Sequence, residues 1–235
     1  MRNVIVTGAA NGIGKSIARR FVENEDRVFL VDKDAAGEKT AAALGTNAFF
    51  IQADLAVPEQ INRTFSDISE HASQIDVLIN NAGISAFRNF DELTIEEWDH
   101  VINSNLRSVM LMSKYASKIM NNGAIINIAS TRAAMSEPGS EAYAASKGGI
   151  TALTHALAAS LAAKKITVNA ISPGWIHTTE EPLDDYYHDM HWSKRVGRPE
   201  DVASLCMFIA QKENAFLNGE DIQLDGGMTK NMRYD

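Results

Sequence analysis

The stretch Val4-Ile5-Val6-Thr7-Gly8-Ala9-Ala10-Asn11-Gly12-Ile13-Gly14 constrains the fold more than any other part of the chain. Its first four residues are all β-branched and read as a short buried strand. A glycine-rich turn breaks the strand. Apolar residues then recur at Ile13, Ile17, Ala18, Phe21 and Val22, which is one face of a helix. The three glycines have separable jobs. Gly8 permits a tight turn, Gly12 lets backbone N–H groups approach a pyrophosphate, and Gly14 lets the helix pack close to the sheet. A phosphate would then sit on the helix N-terminus. At this point a plain βα turn, with glycines for geometry only, stays open.

The rest of the chain alternates in the same way. Strand-like runs fall at Arg27–Val31, Ala48–Ile51, Ile75–Ile79, Ala124–Ala129, Ile166–Ile171 and Ile222–Leu224. Helical patterns lie between them, at Ala35–Leu44, Pro58–His71, Thr94–Met120 and around Tyr143, with another beginning at Pro199. Strands alternating with helices predict an α/β fold with a doubly wound parallel sheet, whose ligands bind outside the C-terminal strand ends. Asp32, Asp54, Asn80 and Ser130 all fall just past predicted strand ends. Asp32 lies near the ~20-residue spacing at which a carboxylate binds the ribose hydroxyls of NAD and repels the 2′-phosphate of NADP. Lys33 softens that repulsion, whereas Asn11 offers no cation to a 2′-phosphate. Asn103 and Asn105 are poor helix-interior residues and point to a local helix irregularity. No linker, repeat or low-complexity tract interrupts the chain, so a single domain over 1–235 is expected.

The chemistry is expected between Ser130 and Lys147. Tyr143 and Lys147 are four apart on a predicted helix and share a face. An ammonium beside a phenol favours the phenolate, which makes a tyrosine useful as an acid or base near neutral pH. By itself a Tyr-x-x-x-Lys pair is a common coincidence. Its setting beside the strand-end residues raises its standing.

Composition excludes other classes. The formal net charge is −8, with no basic stripe or tail, which argues against nucleic acid as a partner. Cys206 is the only cysteine, so no intrachain disulfide forms, and its apolar surroundings read as core. No apolar run reaches the ~18 residues of a membrane span. No signal-peptide h-region precedes the first strand, so a cytoplasmic protein is expected.

Taken together, Thr7-Gly8-x-x-x-Gly12-x-Gly14, Asp54-Leu55, Asn80-Asn81-Ala82-Gly83, Asn105, Ser130, Tyr143-x-x-x-Lys147, Pro173-Gly174 and Gly197-Arg198-Pro199-Glu200-Asp201 resemble the short-chain dehydrogenase/reductase family over essentially the whole chain. The resemblance implies a Rossmann-type, seven-stranded sheet of order 3-2-1-4-5-6-7. It implies Tyr143 as general acid/base, Lys147 as the group that lowers its pKa and binds the nicotinamide ribose, Ser130 as holder of the substrate oxygen, and Asn105 as positioner of a relay water. It places the pyrophosphate at Gly8, Gly12 and Gly14, with Asn11 and Ile13 also binding the cofactor, the adenosine ribose at Asp32, and the adenine at Asp54 and Leu55. Asn81, Ala82, Gly83, Pro173 and Gly174 would line the cofactor cleft, with Ile176 and Thr178 on the carboxamide. A homo-oligomer, tetramer or dimer, is also implied.

The substrate is less legible. Residues 178–198 have no clean period and read as a lid, with Tyr186, Tyr187, Met190 and Trp192 forming an apolar underside. His188 and His191 lack further metal ligands, and no metal is expected. The expected reaction interconverts a secondary alcohol and a ketone with NAD, acting on a small alcohol, polyol or sugar. A 3-oxoacyl thioester reductase is the alternative within enzymes, and an NAD(H)-sensing binder without turnover is the alternative outside them.

Overall fold

The computed structural model describes residues 1–232, so the last three residues of the expected 1–235 unit lie outside it. Seven parallel strands form one sheet: β1 (Asn3–Thr7), β2 (Arg27–Asp32), β3 (Ala48–Gln52), β4 (Ile75–Asn80), β5 (Met120–Ile128), β6 (Thr167–Pro173) and β7 (Asp221–Leu224). Their order is β3-β2-β1-β4-β5-β6-β7. The reversal between β1 and β4 is the topological switch point, and it places a crevice beyond the strand ends there.

Helices cover both faces: α1 (Gly12–Glu23), α2 (Ala36–Leu44), α3 (Pro58–Ser69), α4 (Ile95–Ile102), α5 (Ser108–Ala116), α6 (Glu141–Leu161), a short α7 (Asp185–Asp189) and α8 (Pro199–Ile209). Strand alternation decides which residues meet which layer. Val4, Val6, Val28 and Leu30 pack toward Ile17 and Phe21 of α1 and Val202 and Cys206 of α8. Ile5, Phe29 and Val31 point the other way, toward Ile61 and Ile68 of α3, Met112 of α5 and Ala158 of α6. Every strand of the sheet centre is therefore apolar on both faces, which is why the sequence shows continuous runs there.

One expected helix is corrected. The span Thr94–Met120 is not a single α-helix. Thr94 caps α4, its Oγ accepting from Glu97 N–H while the Glu97 carboxylate accepts from Thr94 N–H. The helix then widens into a π-turn at Asn103–Arg107 before α5, which ends at Ala116. Met120 already pairs with Ile75 as the first residue of β5. The apolar period continues through Met120 because the strand start is as buried as the helix end, so periodicity alone could not mark the change.

Candidate active site

The ends of β1, β2 and β4 open into a cleft of about 520 Å³. Gly8 and Gly12 adopt φ of +64° and +53°, conformations that favour glycine. A Cβ on Gly14 would lie 2.0 Å from Gly8 O, so α1 can approach the turn only without one. At Gly12 a Cβ would meet nothing nearer than Thr178, at 3.5 Å. Asn11 stands at the N-cap of α1 but makes no side-chain hydrogen bond to its first turn, which also contains no acidic residue. The first-turn N–H groups thus lack a side-chain acceptor, as an anion site requires.

The turn is braced from β4. Thr7 Oγ accepts from Asn81 N–H (2.9 Å) and Ala82 N–H (3.0 Å). Asn81 Nδ2 donates to Thr7 O and Gly8 O, at 3.0 and 3.1 Å. Beyond the cleft-lining place expected for Asn81–Gly83, the Asn81 amide locks two strand ends together. Asp32 sits at the end of β2, its Oδ2 accepting from Ala10 N–H and its Oδ1 from Asp34 N–H. Lys33, Asp54, Leu55 and Thr178 line the same cleft, and Asp54 Oδ1 accepts from Ala56 N–H.

A second volume of about 650 Å³ lies beyond β5 and β6. Ile13, Asn81, Gly83 and Ser85 line both volumes, which makes them one continuous cleft. Ser130, Tyr143, Lys147, Pro173, Gly174 and Ile176 line this outer part. Ser130 follows β5, and its Oγ accepts from Arg132 N–H at 3.2 Å. Tyr143 and Lys147 stand on the first two turns of α6, with Lys147 Nζ 5.6 Å from the Tyr143 ring centre. Nζ is buried and donates to Ile128 O at 2.8 Å. Burial pushes the Lys147 pKa down to about 8, because the charged form loses its hydration.

Asn105 is fully buried in the π-turn. Its Oδ1 accepts from Ile84 N–H, and its Nδ2 donates to Ile84 O and Ser146 Oγ. Ser146 in turn donates to Tyr143 O at 2.7 Å. Ser146 was not singled out from sequence. Its position beside Lys147 was the available signal. Asn80 is a correction to the row of strand-end residues: its amide turns into the core, donating to Asn127 Oδ1 and Ser113 Oγ.

The remaining candidates resolve differently. Cys206 is buried in core, and burial pushes its thiol pKa up. His191 Nδ1 donates to Tyr187 O, while His188 Nδ1 accepts from Val196 N–H. Among the described residues no three His, Cys, Asp or Glu side chains group as metal ligands. Arg132 and Glu137 face the cleft, whereas Glu141 does not line it. Within the 178–198 segment, Tyr187 and Met190 line the outer cleft, and Tyr187 meets the Trp175 ring edge-on at 4.8 Å.

A family model described as Enoyl-(Acyl carrier protein) reductase matches residues 8–229. An uncharacterized oxidoreductase of Thermotoga maritima is 40% identical, covering 98% of this chain and 97% of its own. The solved structure of an apo SCOR enzyme from Clostridium thermocellum superposes with a TM-score of 0.90 at 40% identity, covering 99% of this chain and 95% of that one. The chain belongs to the short-chain dehydrogenase/reductase family. Another relative, a 3-oxoacyl-(acyl-carrier-protein) reductase of Staphylococcus epidermidis, is 33% identical over 97% of this chain and 98% of its own. As a short-chain dehydrogenase/reductase the protein is an oxidoreductase, built on the Rossmann-like sheet described above. No helix among the described residues is long and apolar enough to cross a membrane.

Proposed function

We propose that this oxidoreductase interconverts a secondary alcohol and a ketone, with NAD as the hydride carrier and a small alcohol, polyol or sugar as substrate. One observation carries the reading. The glycine turn and Asp32 open into the same continuous cleft as Ser130, Tyr143 and Lys147.

The residues present fit a dinucleotide. The uncapped N–H groups at Gly12–Gly14, with Gly8, Asn11 and Ile13, would hold the pyrophosphate. Asp32 would take the adenosine ribose, Asp54 and Leu55 the adenine, and Ile176 and Thr178 the carboxamide. Asn81, Ala82, Gly83, Pro173 and Gly174 would wall the cleft. When bound, the dinucleotide accepts or supplies the hydride. In oxidation Ser130 Oγ fixes the substrate oxygen while the Tyr143 oxygen receives its proton; reduction returns that proton. Lys147 keeps its charge below pH about 8 and holds it beside Tyr143. Both amide hydrogens of Asn105 are committed, so a relay water behind Lys147 would donate to its Oδ1 or rest on backbone groups of the π-turn.

Asp32 supports NAD over NADP by repelling a 2′-phosphate, although Lys33 lines the same cleft and offsets part of that field. Exposed Phe208 on α8 and Phe216 before β7 support a homo-oligomer, tetramer or dimer. The second reading, a 3-oxoacyl thioester reductase, draws on the 33% identical relative and the description of the family model. A substrate screen following NADH absorbance separates the readings. Oxidation of a simple alcohol, polyol or sugar supports the first, and acetoacetyl thioester reduction supports the second. Tight NADH binding with no turnover over a broad panel would favour an NAD(H) sensor over both.

A further inference from the structure

The outer cleft holds one charged pair that the proposed chemistry does not use. Arg132 lies two residues beyond Ser130, on the 3-10 turn Thr131–Ala133, and its N–H contacts Ser130 Oγ. Its guanidinium stands 5.1 Å from the centre of the Phe87 ring. The Phe87 ring is in turn 6.1 Å from the Tyr143 ring. Phe87 is thus a platform between the proposed acid/base and the cation. Arg132 Nη2 donates to Glu137 Oε1 at 2.5 Å, the one hydrogen bond its guanidinium makes among the described residues. Among the described residues, Arg132 is, apart from buried Lys147, the only Lys or Arg lining this part of the cleft.

The pair is poorly placed to stabilise the fold. Both residues lie on the connection between β5 and α6, with side chains 29% and 56% exposed. Ion pairs this exposed contribute little, so this one opens at small cost. A guanidinium presents a planar fork that matches a carboxylate bidentately, and Glu137 now takes only its Nη2 N–H. Met135, Trp175 and Met190 line the same part of the cleft and suit a short carbon chain.

We propose that Arg132 binds a substrate carboxylate, so that the substrate is a short hydroxy acid and the product its oxo acid. Glu137 holds the guanidinium in position until the incoming carboxylate displaces it. The proposal rests on the alcohol–ketone reading and narrows it. A neutral polyol would leave the pair intact and use both members as hydrogen-bond partners.

The two possibilities respond oppositely at Glu137. Wild type, Arg132→Gln and Glu137→Gln are compared with NAD on 3-hydroxybutyrate against its methyl ester, and on gluconate against sorbitol. Wild type is expected to prefer the acids. Arg132→Gln should lower the acid-to-neutral ratio of kcat/KM about 10- to 100-fold, chiefly through KM. Glu137→Gln should lower KM for the acid several-fold, because a competitor is removed. Equal use of acid and neutral partner by wild type, or a KM for acid that rises in Glu137→Gln, overturns the proposal.

A binding measurement keeps the test independent of turnover. Tyr143→Phe protein with NADH is titrated calorimetrically with acetoacetate, 2-oxobutyrate and their methyl esters. Tighter binding of the acids, weakened tenfold or more by adding Arg132→Gln, supports the carboxylate site; no preference for acid over ester overturns it. Failure of the underlying reading shows separately, as absence of NADH change with every alcohol and ketone, while these titrations still report on Arg132.

Discussion

At the scale of single residues, Lys147 sets function against stability. Its ammonium is buried with only Ile128 O as a hydrogen-bond partner among the described residues, and its pKa falls to about 8 from an ordinary 10.5. Below pH 8 both folded and unfolded chains carry the charge, and the folded chain bears the full desolvation cost. Between pH 8 and 10.5 the unfolded chain binds a proton that the folded chain has released, so stability rises with pH across that window. Lys147→Met should therefore be more stable than wild type at pH 7, by about 1–3 kcal/mol, even after losing the bond to Ile128 O. The advantage should shrink as pH rises from 8 to 10.5. Denaturant melts of both proteins without dinucleotide, taken across that range, check the sign. Tyr143→Phe tests the partner residue. It removes one hydroxyl from the cleft and leaves the glycine turn untouched, so turnover should fall by three orders of magnitude or more, roughly the share assigned to a positioned acid/base. NADH affinity, measured by fluorescence, should stay within a few-fold. Near-wild-type rates would remove Tyr143 as the catalyst.

At the scale of elements, the π-turn between α4 and α5 is what brings Asn105 to the site. The extra residue in the turn rotates its amide toward Ile84, whose N–H and C=O it binds together. The third bond, to Ser146, links the turn to the helix that carries Tyr143 and Lys147. Asn105→Ala removes three hydrogen bonds at once, two to the part-buried backbone of Ile84 and one to the buried Ser146 Oγ. A loss of about 2–4 kcal/mol is expected, or a fall of roughly 5–10 °C in Tm. Hydrogen exchange should rise at Ile84 while the centre of the sheet stays protected. The irregularity itself was legible, since two asparagines inside an apolar helical pattern conflict with helix propensity. Its consequence was not, because Ile84 and Ser146 meet Asn105 only once three separate elements have packed.

At the scale of the molecule, the doubly wound sheet collects the polar residues at one end. Asp32, Asn81 and Ser130 come from three strand ends that are far apart in sequence, and the order β3-β2-β1-β4-β5-β6-β7 sets them around one cleft. A ligand filling that cleft binds the folded chain alone and stabilises it by mass action. NADH at a hundredfold over its Kd should add about 2.7 kcal/mol, or roughly 5–10 °C in Tm for a chain of this size. NADPH at the same concentration should add clearly less, because of Asp32. A larger shift with NADPH would reverse the assignment to NAD.

What the sequence determined by itself follows from its local code. Apolar runs, glycine turns and helical periods act over a few residues, so seven strands, the glycine turn and the Tyr143–Lys147 pair could all be read directly. Ser130 and Asp32 were readable as strand-end positions for the same reason. What tertiary structure alone decided are contacts between segments with no local trace: the Asn81 brace on Thr7 and Gly8, the inward turn of Asn80, the Asn105–Ser146 link, and the stacking of Arg132 on Phe87. A side chain at a strand end can face the cleft or the core with the same sequence signature. Which way it faces is fixed by the neighbours that packing supplies, as the opposite fates of the adjacent Asn80 and Asn81 show.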